Sequence, residues 1–412
     1  MGGDIPLWSP ETGNVNKFRP YQNLCIASVF LAFGIGLLVG VFIPSVLSAK
    51  EENFDNTTSP LDALTFQLRP AAMLVTPGND TFAPVRFVEE DGIVEDGIFW
   101  GRKVEEVLPR GFASKDNDNW VKYVTKSVAV RLEPGCGRMQ NRLVTFQDGT
   151  KGCVRYRQNL DQIQGEVFSF YLAQLLQLPN LAPSTVSLID LQSVTWKNLP
   201  NEVAGAQWNS NRPVVVTKFI PDLGSANIPE GFRPPDQHLT QQYVLERNTS
   251  TAEQLAEFTE LAQWSDLVIF DYLTANLDRV VNNLYNRQWN ANIMEAPAHN
   301  LARRSDNLLV FLDNESGLLH GYRLLHKYEP YHSLLLDNLC VFRKRTVAAL
   351  ERLRKDRNVG KLLVKLFEEK SDSKIRDVLP ALPEKSVKVL NERLDRVHGQ
   401  VARCRRNVFR GL

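Results

Sequence analysis

Two acidic signatures carry the chemistry this chain could do: Asp278-Arg279, just past a long helical stretch, and Asp313-Asn314-Glu315, just past the apolar run 308–312. Phosphoryl transfer asks a protein for one carboxylate that accepts the proton of the attacking hydroxyl. It asks for another, at a strand end, that holds a divalent cation beside the triphosphate. A single aspartate in either place would read as a helix cap or a solvated turn. Two of them in this order, each closing a regular element, assign proton acceptance to Asp278 and cation binding to Asp313.

Further residues fit the same chemistry. Asn283 follows Asp278 by five positions, the separation of base and metal-binding Asn in H-R-D-x-x-x-x-N, so it is a candidate second cation ligand. The order here is Asp-Arg and not His-Arg-Asp, and Asn-Glu stands where Phe-Gly would follow Asp313. Gly135-Cys136-Gly137 lies between two strand-like runs, where Gly135 and Gly137 would let backbone amides approach phosphates; the same spacing also serves plain turn chemistry. Arg155 is placed to contact phosphate. Glu166, on the helix that follows, is either its ion-pair partner or a metal ligand.

Positioning these groups requires a sheet and then helices. Alternation and turn residues predict strands over 128–132, 142–146, 153–157, 185–191 and 214–220, with Gln147-Asp148-Gly149-Thr150 as a hairpin turn. On the third strand Cys153, Arg155 and Arg157 share one face, and Val154 and Tyr156 the other. Asp161 is the expected N-cap of the next helix, with Gln164 in the reciprocal capping position. Its apolar stripe of Ile163, Val167, Phe170, Tyr171 and Leu175 has Glu166 at its border, able to point inward. After residue 223 the pattern turns helical. A capping box at Ser250 and Glu253 opens a helix that runs to Leu273, and helical stretches return over 346–370 and 384–406. The long separation of Asp278 from Asp313 implies an insertion centred on 289–307.

The chain has 412 residues, 43% hydrophobic and 23% charged, enough for one large or two modest domains. With a net charge of +1 nothing suggests a nucleic-acid protein, and the basic run 403–406 lacks interleaved aromatics. The run 24–49 contains no charged residue and is long enough to span a bilayer. Lys17 and Arg19 precede it and Glu51 and Glu52 follow, which makes it a signal anchor: residues 1–23 cytosolic, 24–49 in the membrane, the rest lumenal. A cleaved signal peptide, with Val46 and Ser48 at −3 and −1 of the cut, is the alternative. Residues 50–97, rich in Asp, Glu, Asn, Thr and Pro, read as a stem. Beyond Cys25, four cysteines remain. They suit two disulfides in an oxidising lumen; of three possible pairings, proximity favours Cys136 with Cys153 and Cys340 with Cys404. Sequons at Asn56, Asn79, Asn248 and Asn314 fit the same compartment. A glycan beside Asp313 would block a cation and nucleotide, so Asn314 is expected to be buried and unmodified.

The segments ending in Asp278-Arg279 and Asp313-Asn314-Glu315, together with Gln164-Gly165-Glu166, resemble the four-jointed proteins, a branch of the atypical secretory-pathway kinases. The resemblance runs over about 98–404. It implies an α+β, two-lobed atypical protein-kinase-like fold: a small sheet-rich N-lobe over 98–222, a larger helical C-lobe over 223–412, preceded by one transmembrane helix. It further implies a Golgi serine/threonine kinase using ATP with Mn²⁺ or Mg²⁺, whose partners are cadherin-repeat ectodomains of the Fat and Dachsous type in planar polarity and growth control. Glu166, Asp278 and Asp313 are the matched positions. The nucleotide-binding Lys of related kinases falls at or near Arg155, and Lys151 is the nearest Lys before it.

Two other readings compete. Asp116-Asn117-Asp118 matches the D-x-D pattern of glycosyltransferases, but no apolar strand precedes it, so it reads as a solvated loop. A lumenal cadherin-binding module that lost its chemistry would also lack the Lys. Hydrolase chemistry has no motif here, neither G-x-S-x-G nor H-E-x-x-H.

Overall fold

The computed structural model describes residues 92–233, 239–247 and 251–410. The expected tail, membrane span and stem as far as residue 91 lie outside the described residues, as do Asn56, Asn79 and Asn248. Among the described residues no helix is long and apolar enough to cross a membrane.

Ordered structure starts earlier than the expected stem boundary. β1 (Val94–Glu95) and β2 (Phe99–Trp100) form an antiparallel ribbon, closed where Gly101 N–H donates to the Ile93 carbonyl at 2.7 Å. Ile98 and Trp100 are buried, while the acidic residues of the turn gave the segment a stem-like composition.

α1 (Arg102–Val107) and α2 (Ser114–Lys126) precede a five-stranded sheet of β3 (Ala129–Pro134), β4 (Arg142–Phe146), β5 (Lys151–Arg155), β6 (Ser184–Leu188) and β7 (Pro213–Lys218). Its order is β3-β4-β5-β7-β6, every neighbouring pair antiparallel. The expected period-two alternation on β5 is present. Val154 and Tyr156 enter a small core with Trp120, Phe146, Trp196 and Val216, which leaves Arg155 and Arg157 for the opposite face. α3 (Leu160–Leu175) packs on that face and α4 (Pro200–Gly205) follows β6.

The remainder is mostly helical: α5 (Gln241–Glu246), α6 (Ala252–Thr274), α7 (Val280–Asn286), α8 (Leu319–Arg323), α9 (Leu325–Asp337), α10 (Lys344–Asp356), α11 (Val359–Lys370), α12 (Ser373–Val378) and α13 (Glu384–Arg410). A larger core joins α3 to these helices, with α6 buried along most of its length. This mixed order, a small antiparallel sheet with one long helix and then a helix-rich half, is the sheet-then-helix order expected. The region expected to be an insertion contributes a strand: β8 (Gly224–Asn227), β9 (Pro297–Arg303) and β10 (Leu309–Phe311) form a second sheet of order β10-β9-β8.

Local signals were displaced where tertiary contacts won. Asn159, not Asp161, caps α3, accepting from the Asp161 N–H, and Gln164 donates to the Pro380 carbonyl at 2.8 Å instead of capping. Thr251 caps α6 by accepting from the Gln254 N–H. The stretch 346–370 is two helices, parted at Arg357 with φ 49°. Disulfides join Cys136 to Cys153 and Cys340 to Cys404, with Cα separations of 5.7 and 5.4 Å.

Candidate active site

Three elements meet at Arg155. From the end of β5 its Nη1 lies 2.7 Å from Glu166 Oε2 on α3, its Nη2 3.5 Å from Asp313 Oδ1 and its Nε 3.4 Å from Glu315 Oε2. Burial alone would lower the Arg155 pKa, but the carboxylates of Glu166, Asp313 and Glu315 outweigh it and raise the pKa, so the guanidinium stays charged. Glu166 is thus the ion-pair partner of Arg155, the residue expected at or near the position of a nucleotide-binding Lys. Lys151, at the exposed start of β5, does not line the cleft described below.

The loop after β10 is held by the same group of charges. Asp313 adopts a left-handed φ of 51°, and the Asn314 N–H that follows donates to Glu166 Oε2 at 2.6 Å. Glu315 is 1% exposed and receives Arg157 Nε at 2.6 Å and Arg138 Nη1 at 2.5 Å. Burial, and then the Asp313 charge, push its carboxyl upward, while Arg155 and Arg157 oppose them. Arg138 comes from the β3–β4 turn, so Glu315 ties that turn to the loop carrying Asp313. Gly165 permits the approach of α3: a Cβ there would lie 2.5 Å from the Glu315 carbonyl oxygen and 2.9 Å from that of Gly317.

Asp278 is positioned by its neighbour. Arg279 is fully buried, pairs with Asp271 of α6, and donates to the Leu312 carbonyl at 2.9 Å and to Asn314 Oδ1 at 2.5 Å. It also donates to the Asn300 carbonyl at 3.1 Å, and Asn300 Nδ2 reaches the Asp278 carbonyl at 3.2 Å. One guanidinium therefore locks the two acidic signatures together. Burial pushes the Asp271 carboxyl up to about 6 despite Arg279, with a smaller upward push from Asp278. Asp278 is half-buried and its carboxylate forms no ion pair among the described residues, which leaves it able to accept a proton. Asn314 is 2% exposed, as expected of a sequon that sits at the centre of this network.

A cleft of about 340 Å³ is lined by Arg155, Glu166, Asp313 and Asn300 on its polar side and by Leu181, Phe219, Ile220 and Leu223 among its apolar walls; Asp278 does not line it and is tied to it through Arg279 and Asn300. Its mouth includes the β3–β4 turn, where Cys136 at φ 60° and Gly137 at φ 89° take left-handed conformations. The Cys136–Cys153 disulfide pins this turn to β5, and Asn141 braces it by donating to the Cys136 carbonyl at 2.7 Å and accepting from Arg157 at 2.7 Å. Gly137 lines the cleft; Gly135 does not, and it faces Leu143 instead.

Among the described residues no three acidic, His or Cys side chains group into a metal cage. A cation held by one or two carboxylates together with phosphates needs no such cage. Asp313 fits that role: its Oδ1 is buried without a hydrogen-bond partner among the described residues, and its contact with Arg155 is long. Asn283 is not brought to the cleft. It is buried on α7, donating to the Ile293 carbonyl at 3.3 Å. The D-x-D triplet is helical and not a loop. Asp116 caps α2 by accepting the Ala113 N–H at 2.8 Å, and Asp118 pairs with Lys370.

Asn300, Asp271, Arg138 and Arg157 were given no role by sequence reasoning. Asn300 lay inside the presumed insertion. The only local signal for Arg157 was its shared face with Arg155.

The family description of the four-jointed box protein middle domain matches residues 115–407. The extracellular serine/threonine protein kinase four-jointed of Drosophila melanogaster is 52% identical over 76% of this chain and 61% of its own length, and four-jointed box protein 1 of Mus musculus is 37% identical over 77% and 70%. The chain thus spans under two thirds of the Drosophila relative. Among solved structures, a Golgi casein kinase with Mn/ADP bound aligns over 71% of this chain and 77% of its own at 13% identity and a TM-score of 0.47. Hydra Fam20 with sugar aligns over 74% and 95% at 13% identity and 0.48. The family match across most of the chain, and identities of 52% and 37%, establish that this protein belongs to the four-jointed box family.

Proposed function

We propose that the protein is a serine/threonine protein kinase of the secretory pathway that transfers the ATP γ-phosphate to a hydroxyl on cadherin-repeat ectodomains of the Fat and Dachsous type. The observation that carries this is the meeting of Arg155, Glu166 and Asp313 at one cleft, with Asp278 locked to the same loop through Arg279. Its apolar walls suit a base and ribose, and the left-handed turn at Cys136 and Gly137, at its mouth, is of the kind whose backbone N–H groups would receive phosphates. Arg155, neutralised in part by Glu166, supplies a fixed positive charge for phosphate oxygens. Asp313, with Glu166 beside it, would hold Mn²⁺ or Mg²⁺, which when bound neutralises charge on the phosphates. Asp278 accepts the proton of the attacking hydroxyl. Membership of a family whose Drosophila member is named an extracellular serine/threonine kinase supports the reaction class. The cadherin substrate, a role in planar polarity and growth control, and a Golgi-anchored, glycosylated lumenal chain belong to the same proposal.

The glycosyltransferase alternative is disfavoured by the employment of both D-x-D carboxylates in a cap and an ion pair. Incubating the lumenal fragment and a purified cadherin repeat with γ-labelled ATP or labelled nucleotide sugars tests the proposal. Label from ATP alone supports it. Label from a nucleotide sugar, or cadherin binding with no nucleotide-dependent rise in Tm, overturns it.

A further inference from the structure

A second and larger cleft, of about 430 Å³, lies at the far end of α3, lined by the α1–α2 connection, residues 177–180, Leu308, Arg343 and Arg345. None of the residues lining the first cleft contributes to it. Asn180 there is fully buried. Its Nδ2 is committed to the Leu309 carbonyl at 2.8 Å and Gln263 Oε1 at 3.2 Å, so the amide cannot turn, and its Oδ1 has no partner among the described residues. Asn117, 6% exposed on α2, likewise has a buried Oδ1 without a partner. Orphaned buried acceptors of this kind are rare and costly in folded proteins.

The charges of this cleft point to what would satisfy them. Its ionisable lining is Glu105, Arg110, Arg343 and Arg345. Glu105 is consumed by Arg343, at 2.9 and 2.6 Å, and Arg343 is completed by Asp266 at 3.0 Å. Arg345 and Arg110 form no ion pair among the described residues, and Arg345 Nε is buried without a partner. Burial, and then the Arg343 charge, push the Arg345 pKa down, and the carboxylates of Asp266 and Glu105 oppose them only in part. Two guanidinium groups ask for an anion. Two buried carbonyl oxygens, that of Asn180 fixed by its own Nδ2 bonds, ask for donors, which a fully ionised phosphate or carboxylate alone does not supply.

We propose that this cleft binds a small hydroxylated anion, a sugar phosphate or sugar acid, with Arg345 and Arg110 taking the anionic group and Asn180 and Asn117 accepting hydroxyl protons. The volume falls within the range of small-ligand sites. Asn180, which lines this cleft, also touches the strand that leads to Asp313, since the Phe311 N–H donates to the Asn180 carbonyl at 2.9 Å. Binding here does not depend on the kinase assignment.

Isothermal titration of the full-length chain in detergent, with glucose 6-phosphate, glucuronate, glucose and inorganic phosphate as separate titrants, tests it. Saturable binding of glucose 6-phosphate or glucuronate, about tenfold or more tighter than glucose or phosphate, is expected. Which of the two binds identifies the anionic group. Arg345→Ala removes a side chain without an ion-pair partner, so the fold is retained while affinity falls about tenfold or more. Asp313→Ala leaves the binding intact, which separates this cleft from the first. The proposal is overturned by glucose or phosphate binding as tightly as the hydroxylated anions, by binding of neither anion, or by binding that survives Arg345→Ala.

Discussion

Gly165→Ala sets two physical effects against each other at one atom. In an isolated helix the substitution stabilises by roughly 1 kcal/mol, because alanine loses less backbone entropy than glycine. Here the new Cβ would meet the carbonyl oxygens of Glu315 and Gly317 at 2.5 and 2.9 Å. A carbon–oxygen contact needs roughly 3.3 Å, so α3 and the loop must part by close to 1 Å. Neither oxygen can swing aside, since both belong to the backbone of the loop whose Asn314 N–H is held by Glu166. Overpacking of this kind costs about 1–3 kcal/mol, which exceeds the gain in propensity. The same displacement separates Glu166 from Asn314 and moves Asp313, and a 1 Å misplacement costs on the order of 100-fold in rate. Urea denaturation and kcat/KM for phosphate transfer measure the two consequences. A variant at least as stable as wild type and equally active would show that α3 and the loop do not meet as described.

Three further outcomes follow from the same geometry. Asp271 titrates at about 6 when folded against a usual 3.8, so the unfolded chain releases this proton first as pH rises. Its contribution to stability therefore falls between about pH 4 and 6, by on the order of 3 kcal/mol, and is flat above. Asp271→Asn, whatever its absolute stability, should show a shallower decline over that window; an unchanged slope contradicts the burial argument. Replacing Cys136 and Cys153 together by Ser opens the tie between the β3–β4 turn and β5 and should cost about 3 kcal/mol in denaturant unfolding. Peptide mapping by mass spectrometry should find Asn314 unglycosylated, and a glycan there would be incompatible with a site at Asp313.

What could be read from the sequence was what obeys a local period. Val154 and Tyr156 against Arg155 and Arg157 is a two-residue alternation, and it placed two arginines on the face where Glu315 now receives them. Glu166 at the edge of an apolar helical stripe pointed inward for the same reason. Arg279, Asn300 and Glu315 could not be assigned, because their partners are distant in the chain and no spacing encodes them. Asn300 sits on a short polar strand, Pro297–Arg303, whose weak alternation was overshadowed by surrounding turn residues. Gln164 had a capping residue's spacing but bonds to Pro380, a tertiary contact that overrode a local one. Asn283 matched a spacing borrowed from other kinases, and α7 turns it into the protein instead.

The measurement that bears most directly on the central claim is transfer of γ-labelled phosphate from ATP to a purified cadherin repeat in the presence of Mn²⁺, comparing the purified protein with its Asp313→Ala variant. Loss of the carboxylate proposed to hold the cation is expected to lower transfer by about 1000-fold, on the scale of a missing charge-stabilising group, while the variant still folds. Transfer by Asp313→Ala at the wild-type rate would contradict the assignment of this cleft as the site of phosphoryl transfer.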